Sequence, residues 1–332
     1  MENRLVAIDY LRGAASLAVA WFHLTQRAGG GTIVRASGSL GWLGVEVFFV
    51  ISGFIIPWSV PHGLLSSRRG RVLFLVRRAL RVELPYLASI ALVIGSWHAP
   101  WSASLILLHV FYLVPFTKLK WLQAVYWTLA FEFAFYLFVA LTFSWSVGAR
   151  ESIRWRAMAA VVTIAVYCRI LPFHVALFVM GMAVFRSSRG LSSAPESGLT
   201  IGICFLAMRA VGAPREATVG AATALLILAA ARRQIPGWPG ETLEWLGAVS
   251  YSLYLTHVPI GGRVRSLSQP WFEDTSLRDL APCALALIAS LAAAWAFRAV
   301  IEQPAHALAR RVAPLRDGKS DPRDREGPHL VD

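Results

Sequence analysis

Charged side chains are scarce in this sequence. Asp, Glu, Lys and Arg together make up 15% of its 332 residues, whereas apolar residues make up 56%, and the mean hydropathy is +0.55. This balance excludes an ordinary soluble enzyme of this size and indicates that lipid is the main solvent. Apolar runs continue beyond Ile301, so we expect one membrane domain at 1–312, followed by a disordered cytoplasmic tail at 313–332 that is too polar to form a core.

Cysteine and acidic residues are also few. The three cysteines, Cys168, Cys204 and Cys283, lie in separate apolar runs without metal-ligand spacing, which excludes a disulfide framework and gives no reason to expect a metal. Lys and Arg outnumber Asp and Glu by 32 to 19, for a net charge of +13. In a soluble protein this excess would favour nucleic acid, but basic residues are the usual flanks of membrane spans. We therefore expect contact with membrane lipid and no nucleic-acid partner.

Ten apolar runs approach the length of about 20 residues that a membrane-spanning helix needs, although several are short. The first contains Asp9, Arg12 and His23 and no cleavage site, so it is predicted to remain as a helix. A further run, 105–116, is too short to cross and predicts a re-entrant or interfacial segment. The predicted fold class is all-α, a polytopic integral membrane protein with about ten transmembrane helices. They are predicted at 5–26, 42–60, 73–97, 124–143, 157–170, 172–185, 199–211, 217–231, 243–260 and 281–301.

The basic residues are distributed unevenly between the two predicted sides of the membrane. With these crossings, the arginine-rich stretches 68–81, 150–156 and 186–189 fall on one side, together with both termini. By the positive-inside rule, this side is the cytoplasm. Treating 105–116 as a full crossing would place 150–156 outside, which the same rule disfavours.

Ionisable residues inside the apolar runs are candidate site residues, because a charge at mid-bilayer costs about 2.5 to 3.5 kcal/mol. Asp9 and Arg12 are three residues apart and can pair on one helix face. Arg12 and His23 are eleven residues apart, which places them on nearly the same face but about 16.5 Å apart along the axis. The pattern predicts that Arg12 lies in the inner half of the membrane and His23 near the outer boundary.

Three further polar groups are predicted near the level of His23. Glu46, Glu132 and His257 each belong to a different apolar run, near the end that is predicted to lie outside. One interpretation is structural, with each group hydrogen-bonded to a neighbouring helix. Because four costly groups from four helices fall in the outer third, we favour a functional site.

The stretch 68–81 is rich in arginine. Arginine forms bidentate contacts with phosphate oxygens, so this stretch could hold a phosphorylated cosubstrate. It could equally set the topology and contact anionic lipid. The residues alone leave both interpretations open.

Several of these features occur together, in the same order, in one known family. Arg12 and His23 match its signature of Arg, ten residues and His, inside an Asp-x-Leu-Arg-Gly context. Between residues 8 and 304, the sequence resembles the acyltransferase-3 family of bacterial membrane O-acyltransferases. The other matching motifs are Gly-Val-Glu-Val-Phe-Phe in 44–54, Trp-x-Leu-x-x-Glu in 127–136, Ser-Tyr-x-x-Tyr-x-x-His-x-Pro in 250–259 and Glu-Gln-Pro at 302–304.

The resemblance implies transfer of an acyl group, often acetyl, from cytoplasmic acyl-CoA to a hydroxyl group, in the bacterial cytoplasmic (inner) membrane. The implied acceptor is a cell-surface glycan, an exopolysaccharide or a similar molecule. The family's Arg-x-x-Arg motif is associated with acyl-CoA and corresponds to Arg78 and Arg81. Pro85 comes one residue later than usual, and Glu83 stands where an apolar or aromatic residue is common. Some members carry a fused periplasmic hydrolase-like domain that this sequence lacks, so either the chain alone or a separate acyl-handling partner completes the reaction.

Acyl transfer to a hydroxyl needs a base for its proton or a nucleophile that holds the acyl group, and histidine can be either. We assign this role to His23, with Arg12 orienting the donor or balancing charge. Glu132 or Glu46 would orient the imidazole, and His257 is a further catalytic candidate.

The alternative function is a transporter or flippase for a glycan or lipid-linked substrate, because intramembrane charges also line substrate pathways. The sequence shows no inverted repeat, which disfavours this alternative, and thioester-dependent product formation distinguishes the two.

Overall fold

A computed structural model of the chain describes residues 6–29, 32–61, 63–97, 102–149, 152–232 and 241–312. Within these ranges the secondary structure is helical and contains no strand, which confirms the all-α fold class. The α-helices are α1 Val6–Thr25, α2 Ile33–Gly38, α3 Gly44–Trp58, α4 Arg68–Trp97, α5 Ala103–Val110, α6 Trp127–Thr142, α7 Ser152–Tyr167, α8 His174–Ser188, α9 Ala194–Ala210, α10 Pro214–Arg232, α11 Glu241–Thr256, α12 Gly262–Ser268, α13 Leu280–Phe297 and α14 Gln303–Val312.

A helix occupies each of the ten predicted apolar runs, but only part of the predicted topology is shown. By length and composition, three helical stretches in the described ranges could cross a membrane, Ile33–Trp58, Trp127–Val147 and Leu280–Val312. The count of about ten crossings stays a prediction. The short run at 105–116 overlaps α5, whose eight residues extend about 12 Å, far less than the bilayer core of about 30 Å. The predicted tail, 313–332, lies outside the described residues.

Glycines bring the helices that carry the candidate site residues into close contact. α1 packs against α11, and a Cβ atom on Gly247 would lie 2.8 Å from the carbonyl carbon of Asp9. A Cβ atom on Gly13 would likewise lie 2.9 Å from the backbone nitrogen of Gly247. Small residues allow such backbone approach between membrane helices. α1 and α11 are therefore held together next to Arg12, at the end of α1 opposite His23.

This glycine contact leads to a stability prediction. We expect Gly247→Ala to destabilise the bundle by about 1 to 3 kcal/mol, because the new methyl group must push α11 away from the backbone of α1. The matched control is Gly202→Ala in α9, where an added Cβ atom meets nothing within 4 Å. Thermal unfolding in lipid nanodiscs should show a lower Tm for Gly247→Ala only. Equal melting temperatures for the two variants would contradict the close packing.

One buried arginine has a structural explanation. Arg186 is 0% exposed, and its guanidinium donates to the backbone oxygens of Ser146 at 3.0 Å, Val147 at 2.9 Å and Ala149 at 2.9 Å. These acceptors lie in and after the π-helical turn Phe143–Val147. Because such a turn leaves carbonyl groups without their usual helical partners, the arginine and the turn satisfy each other.

Candidate active site

A cavity of about 400 Å³ lies among α1, α3, α4, α6, α11, the π-helical turn Arg298–Glu302 and the start of α14. This size is within the range of small-molecule sites in proteins. Four arginines line it, namely Arg12, Arg78, Arg81 and Arg298. Three of them were singled out from the sequence, so the fold brings the predicted arginine of the first helix and both arginines of the Arg-x-x-Arg motif into one space.

The arginines keep much of their hydrogen-bonding capacity unused. Arg81 lies within electrostatic range of both Arg12 and Arg78. Arg78 donates to the hydroxyl of Ser59, and its guanidinium lies 5.4 Å from the ring centre of Tyr136. The side chains of Arg12 and Arg81 form no hydrogen bond or ion pair with any residue that the structure describes. Several guanidinium groups with free donors in one cavity favour an anionic ligand, because arginine binds phosphate or carboxylate groups through paired hydrogen bonds.

Glu132 lies in this cavity as well. Its Oε1 atom accepts a hydrogen bond from the hydroxyl of Tyr136, one turn further along α6. The same tyrosine ring contacts the guanidinium of Arg78. The structure therefore places Glu132 with the arginines and forms no contact between its carboxylate and His23.

His23 and His257 face each other at the opposite end of α1 from Arg12. Their ring centres are 5.3 Å apart. His257 is 0% exposed, and its Nδ1 atom lies 2.9 Å from the carbonyl oxygen of Leu253. A carbonyl oxygen can only accept, so Nδ1 carries the proton and a neutral His257 keeps a lone pair on Nε2. That Nε2 atom is buried and has no hydrogen-bond partner.

The cavity and the histidine pair are adjacent. Tyr254 lines the cavity, and its ring centre is 6.1 Å from that of His257. Its hydroxyl is fixed by the hydroxyl of Thr128, at 2.7 Å, and by the carbonyl oxygen of Val125, at 3.0 Å. The cavity wall thus includes both the arginines and Tyr254, and Tyr254 contacts His257 of the histidine pair.

The family model described as an acyltransferase domain matches residues 5–299. The chain belongs to the acyltransferase-3 family. No curated protein and no solved structure gave a match. Membership identifies a membrane acyltransferase in general, and this activity requires an acyl donor. The part of the chain that the structure describes holds no group of three His, Cys, Asp or Glu side chains that could bind a metal ion.

Glu46 lies apart from both the cavity and the histidine pair of this acyltransferase-3 protein. It is 2% exposed, and its Oε2 atom has no hydrogen-bond partner. The charged group that acts on it is Glu216 of α10. The structure thus joins Arg12, Arg78, Arg81 and Glu132 in one cavity, pairs His23 with His257, and leaves Glu46 separate.

The departure from the acyltransferase-3 pattern at Glu83 and Pro85 does not interrupt the helix. α4 runs through Pro85 as one helix. Glu83 accepts a hydrogen bond of 3.0 Å from the hydroxyl of Tyr112, a residue outside the cavity lining. Arg78 and Arg81 both still reach the cavity.

The sequence patterns do not identify the cavity residues in the turn that follows α13. Arg298 and Glu302 begin and end a π-helical turn, and both line the cavity. Ser252 donates to the Oε2 atom of Glu302 at 2.5 Å, and the Nε2 atom of His306 lies 3.9 Å from its Oε1 atom. Glu302 belongs to the Glu-Gln-Pro motif at 302–304, which supports the family resemblance but does not by itself indicate a cavity residue. The four-residue spacing of an arginine and a glutamate in an apolar run could have marked both as site residues.

Proposed function

We propose that this protein transfers an acyl group, typically acetyl, from cytoplasmic acyl-CoA to a hydroxyl group of a cell-surface glycan, an exopolysaccharide or a similar acceptor. The observation that carries the proposal is the continuous cavity, which has Arg12, Arg78, Arg81 and Arg298 on its wall and Tyr254 next to the histidine pair. A bacterial cytoplasmic membrane location with both termini inside belongs to the same proposal. Membership of the acyltransferase-3 family supports its chemistry.

The arginines would hold the phosphate groups of CoA. CoA is a polyanion with a long, largely uncharged pantetheine arm, and the cavity has a matching distribution of groups. Guanidinium groups of Arg78 and Arg81 offer paired donors to phosphate oxygens. The arm would then extend along the uncharged wall formed by residues such as Phe48 and Leu129. This orientation brings the thioester towards Tyr254, which contacts His257.

The histidine pair would remove the proton from the acceptor. His23 takes the hydroxyl proton as the oxygen attacks the thioester carbonyl carbon, the carbon–sulfur bond breaks, and the CoA thiolate leaves and takes up a proton. The lone pair on Nε2 of His257 supports this role, because it can accept a proton or a hydrogen bond from the imidazole of His23.

Attack by His23 itself on the thioester would give an acyl-histidine and the same thiolate. Trapping labelled acyl groups on His23 would establish that second route, whereas a single-displacement rate law would exclude it.

The test is acyl transfer by the purified protein in lipid nanodiscs. Radiolabelled acetyl-CoA and a glycan extract from the host are supplied, and label is counted in the glycan fraction. We expect label that depends on both the protein and the thioester. A transporter or flippase would move a glycan across a sealed vesicle without forming a labelled product. Absence of label with every acyl-CoA and glycan fraction, from protein shown to be folded and supplied with periplasmic extract as a source of a separate partner, would overturn the proposal.

Arg298 provides a donor-site prediction that the sequence did not suggest. We expect Arg298→Gln to raise the KM for acetyl-CoA about tenfold with little change in kcat, because one charge-assisted contact to a phosphate is worth about 1.5 to 3 kcal/mol. Initial rates at varied acetyl-CoA measure this effect. Arg310→Gln, on the exposed face of α14, is the matched control. Unchanged KM values in Arg298→Gln would remove this residue from the donor site.

A further inference from the structure

Four residues form a stripe that leads away from the histidine pair along the π-helical turn His257–Gly261 and α12. His257, Gly261, Arg265 and Gln269 follow one another at intervals of four. The stripe faces α1 and α13, because a Cβ atom on Gly261 would lie 3.0 Å from the side chain of Leu24 and 3.2 Å from the carbonyl oxygen of Ala286. Arg265 comes one turn of α12 after Gly261 and faces the same helices, because its Nε atom lies 3.5 Å from the sulfur of Cys283 in α13.

Arg265 is the charged member of this stripe. It is 6% exposed, and its Nε atom lies 3.5 Å from the sulfur of Cys283. That sulfur lies 3.3 Å from the carbonyl oxygen of Leu24, the residue that follows His23. Through Cys283, Arg265 is therefore linked to the last turn of α1, the turn that carries His23.

The partners of Arg265 do not balance its charge. A thiol is a weak acceptor, and the guanidinium forms no ion pair and no other hydrogen bond with residues in the described ranges. Arg186, which is also buried, uses its donors on backbone carbonyl oxygens. A buried charge without such partners is costly unless an anion binds to it. Arg265 thus has donors available for a ligand at the His23 end of the bundle.

Gln269 supplies an unused acceptor one turn further along. Its Nε2 atom donates to the carbonyl oxygen of Arg278 at 3.0 Å, which leaves Oε1 as the free acceptor. Oε1 is buried and has no hydrogen-bond partner. A ligand that carries both an anionic group and a hydroxyl group would satisfy Arg265 and Gln269 together.

We propose that this stripe is an acceptor-binding site for an acidic sugar, in which Arg265 holds a carboxylate or phosphate group and Gln269 accepts a hydrogen bond from a sugar hydroxyl. The inference rests on the proposed function, since it assigns the chemical class of the acceptor. The proposal also places the two substrates at different ends of α1. The charged end of the donor lies near Arg12, whereas the acceptor meets His23 at the other end, about 16.5 Å away along the helix.

Binding is tested first, because it does not require acyl transfer. The full chain in phosphatidylcholine nanodiscs is titrated with glucuronate, glucose 6-phosphate and neutral glucose, and the shift in Tm is measured. We expect at least one of the two anionic sugars, but not glucose, to stabilise the wild type. Arg265→Gln should raise the apparent Kd for that sugar at least about tenfold, and Arg265→Lys should recover part of the affinity. Arg263→Gln, two residues away and exposed, should behave as the wild type.

Three results of this titration would overturn the inference. One is the absence of a shift with any probe, and another is an equal shift in wild type and Arg265→Gln. The third is stabilisation that follows added phosphatidylglycerol and leaves no response to the sugars, which would assign Arg265 to a lipid headgroup. The glucuronate and glucose 6-phosphate arms distinguish a carboxylate from a phosphate as the bound group.

Steady-state kinetics separates failure of this inference from failure of the proposed function. With an acidic acceptor, Arg265→Gln should raise the KM for the acceptor about tenfold and leave the KM for acetyl-CoA unchanged. Arg265-dependent sugar binding without any acyl transfer would contradict the proposed function alone. Acyl transfer with the same acceptor KM in both proteins would contradict the acceptor site alone.

Discussion

His23→Ala is expected to lower kcat by about 10²- to 10⁴-fold, the contribution of a positioned general base. The imidazole lies in van der Waals range of a second imidazole whose Nε2 atom has a free lone pair. An alanine there removes the imidazole that takes the proton from the acceptor hydroxyl. The KM for acetyl-CoA should change little, because the donor arginines line the cavity whereas His23 is not part of its lining. Single-turnover transfer of labelled acetyl groups measures the effect.

His257→Gln is the informative companion to this variant. Glutamine preserves a donor to the carbonyl oxygen of Leu253 but cannot hold a proton, so a loss smaller than that of His23→Ala is expected. Both variants should keep the wild-type Tm within about 3 °C, the shift that about 1 kcal/mol produces in a large domain. A His23→Ala protein that is folded and turns over at the wild-type rate would remove His23 from the chemistry. Full activity in His257→Gln would show that the second imidazole only packs against the first.

The helices and part of the site could be predicted from the sequence because they depend on local patterns. Apolar runs define the helices, and the eleven-residue spacing of Arg12 and His23 sets opposite ends of one face. The Arg-x-x-Arg motif fixes two cavity residues on α4. These features can be predicted because each belongs to a single helix and does not depend on how the helices pack. Only the contact between His23 and His257 required two helices to be placed correctly, and it followed from the parallel packing of α1 and α11.

The relative depths of the carboxylates could not be predicted. The estimate for Glu46 assumed a straight helix that begins at the membrane boundary. In the structure, α2 and a short turn at Gly41–Leu43 precede α3. A Cβ atom on Gly44 would lie 2.9 Å from the side chain of Val19, so Glu46 is nearer to the middle of α1 than to His23. Such offsets depend on how helices slide past each other, which no local pattern specifies.

The π-helical turns are a second feature that the sequence did not reveal. One begins at His257, and another extends from Arg298 to Glu302. A π-helical turn shifts the face on which the following residues lie, and such turns are frequent at functional sites. Counting at 3.6 residues per turn therefore misplaces Arg265 relative to α11, which precedes His257, and Arg298 relative to α14, which follows Glu302. Both residues were found only from their contacts and their position in the fold.

The combined variant Arg78→Gln/Arg81→Gln is expected to raise the KM for acetyl-CoA about 10²- to 10⁴-fold, because two charge-assisted contacts to phosphate are lost together. The same variant should use acetyl-pantetheine, which has no phosphate, as well as the wild type does. This comparison separates phosphate binding from a general defect, since a misfolded cavity would lose both donors. Arg69→Gln, on the exposed surface of the same helix, controls for the loss of positive charge near the membrane. If the variant lost acetyl-CoA and acetyl-pantetheine turnover equally while remaining folded, the arginines would serve the thioester end of the donor, and the orientation of CoA in the cavity would have to be reversed.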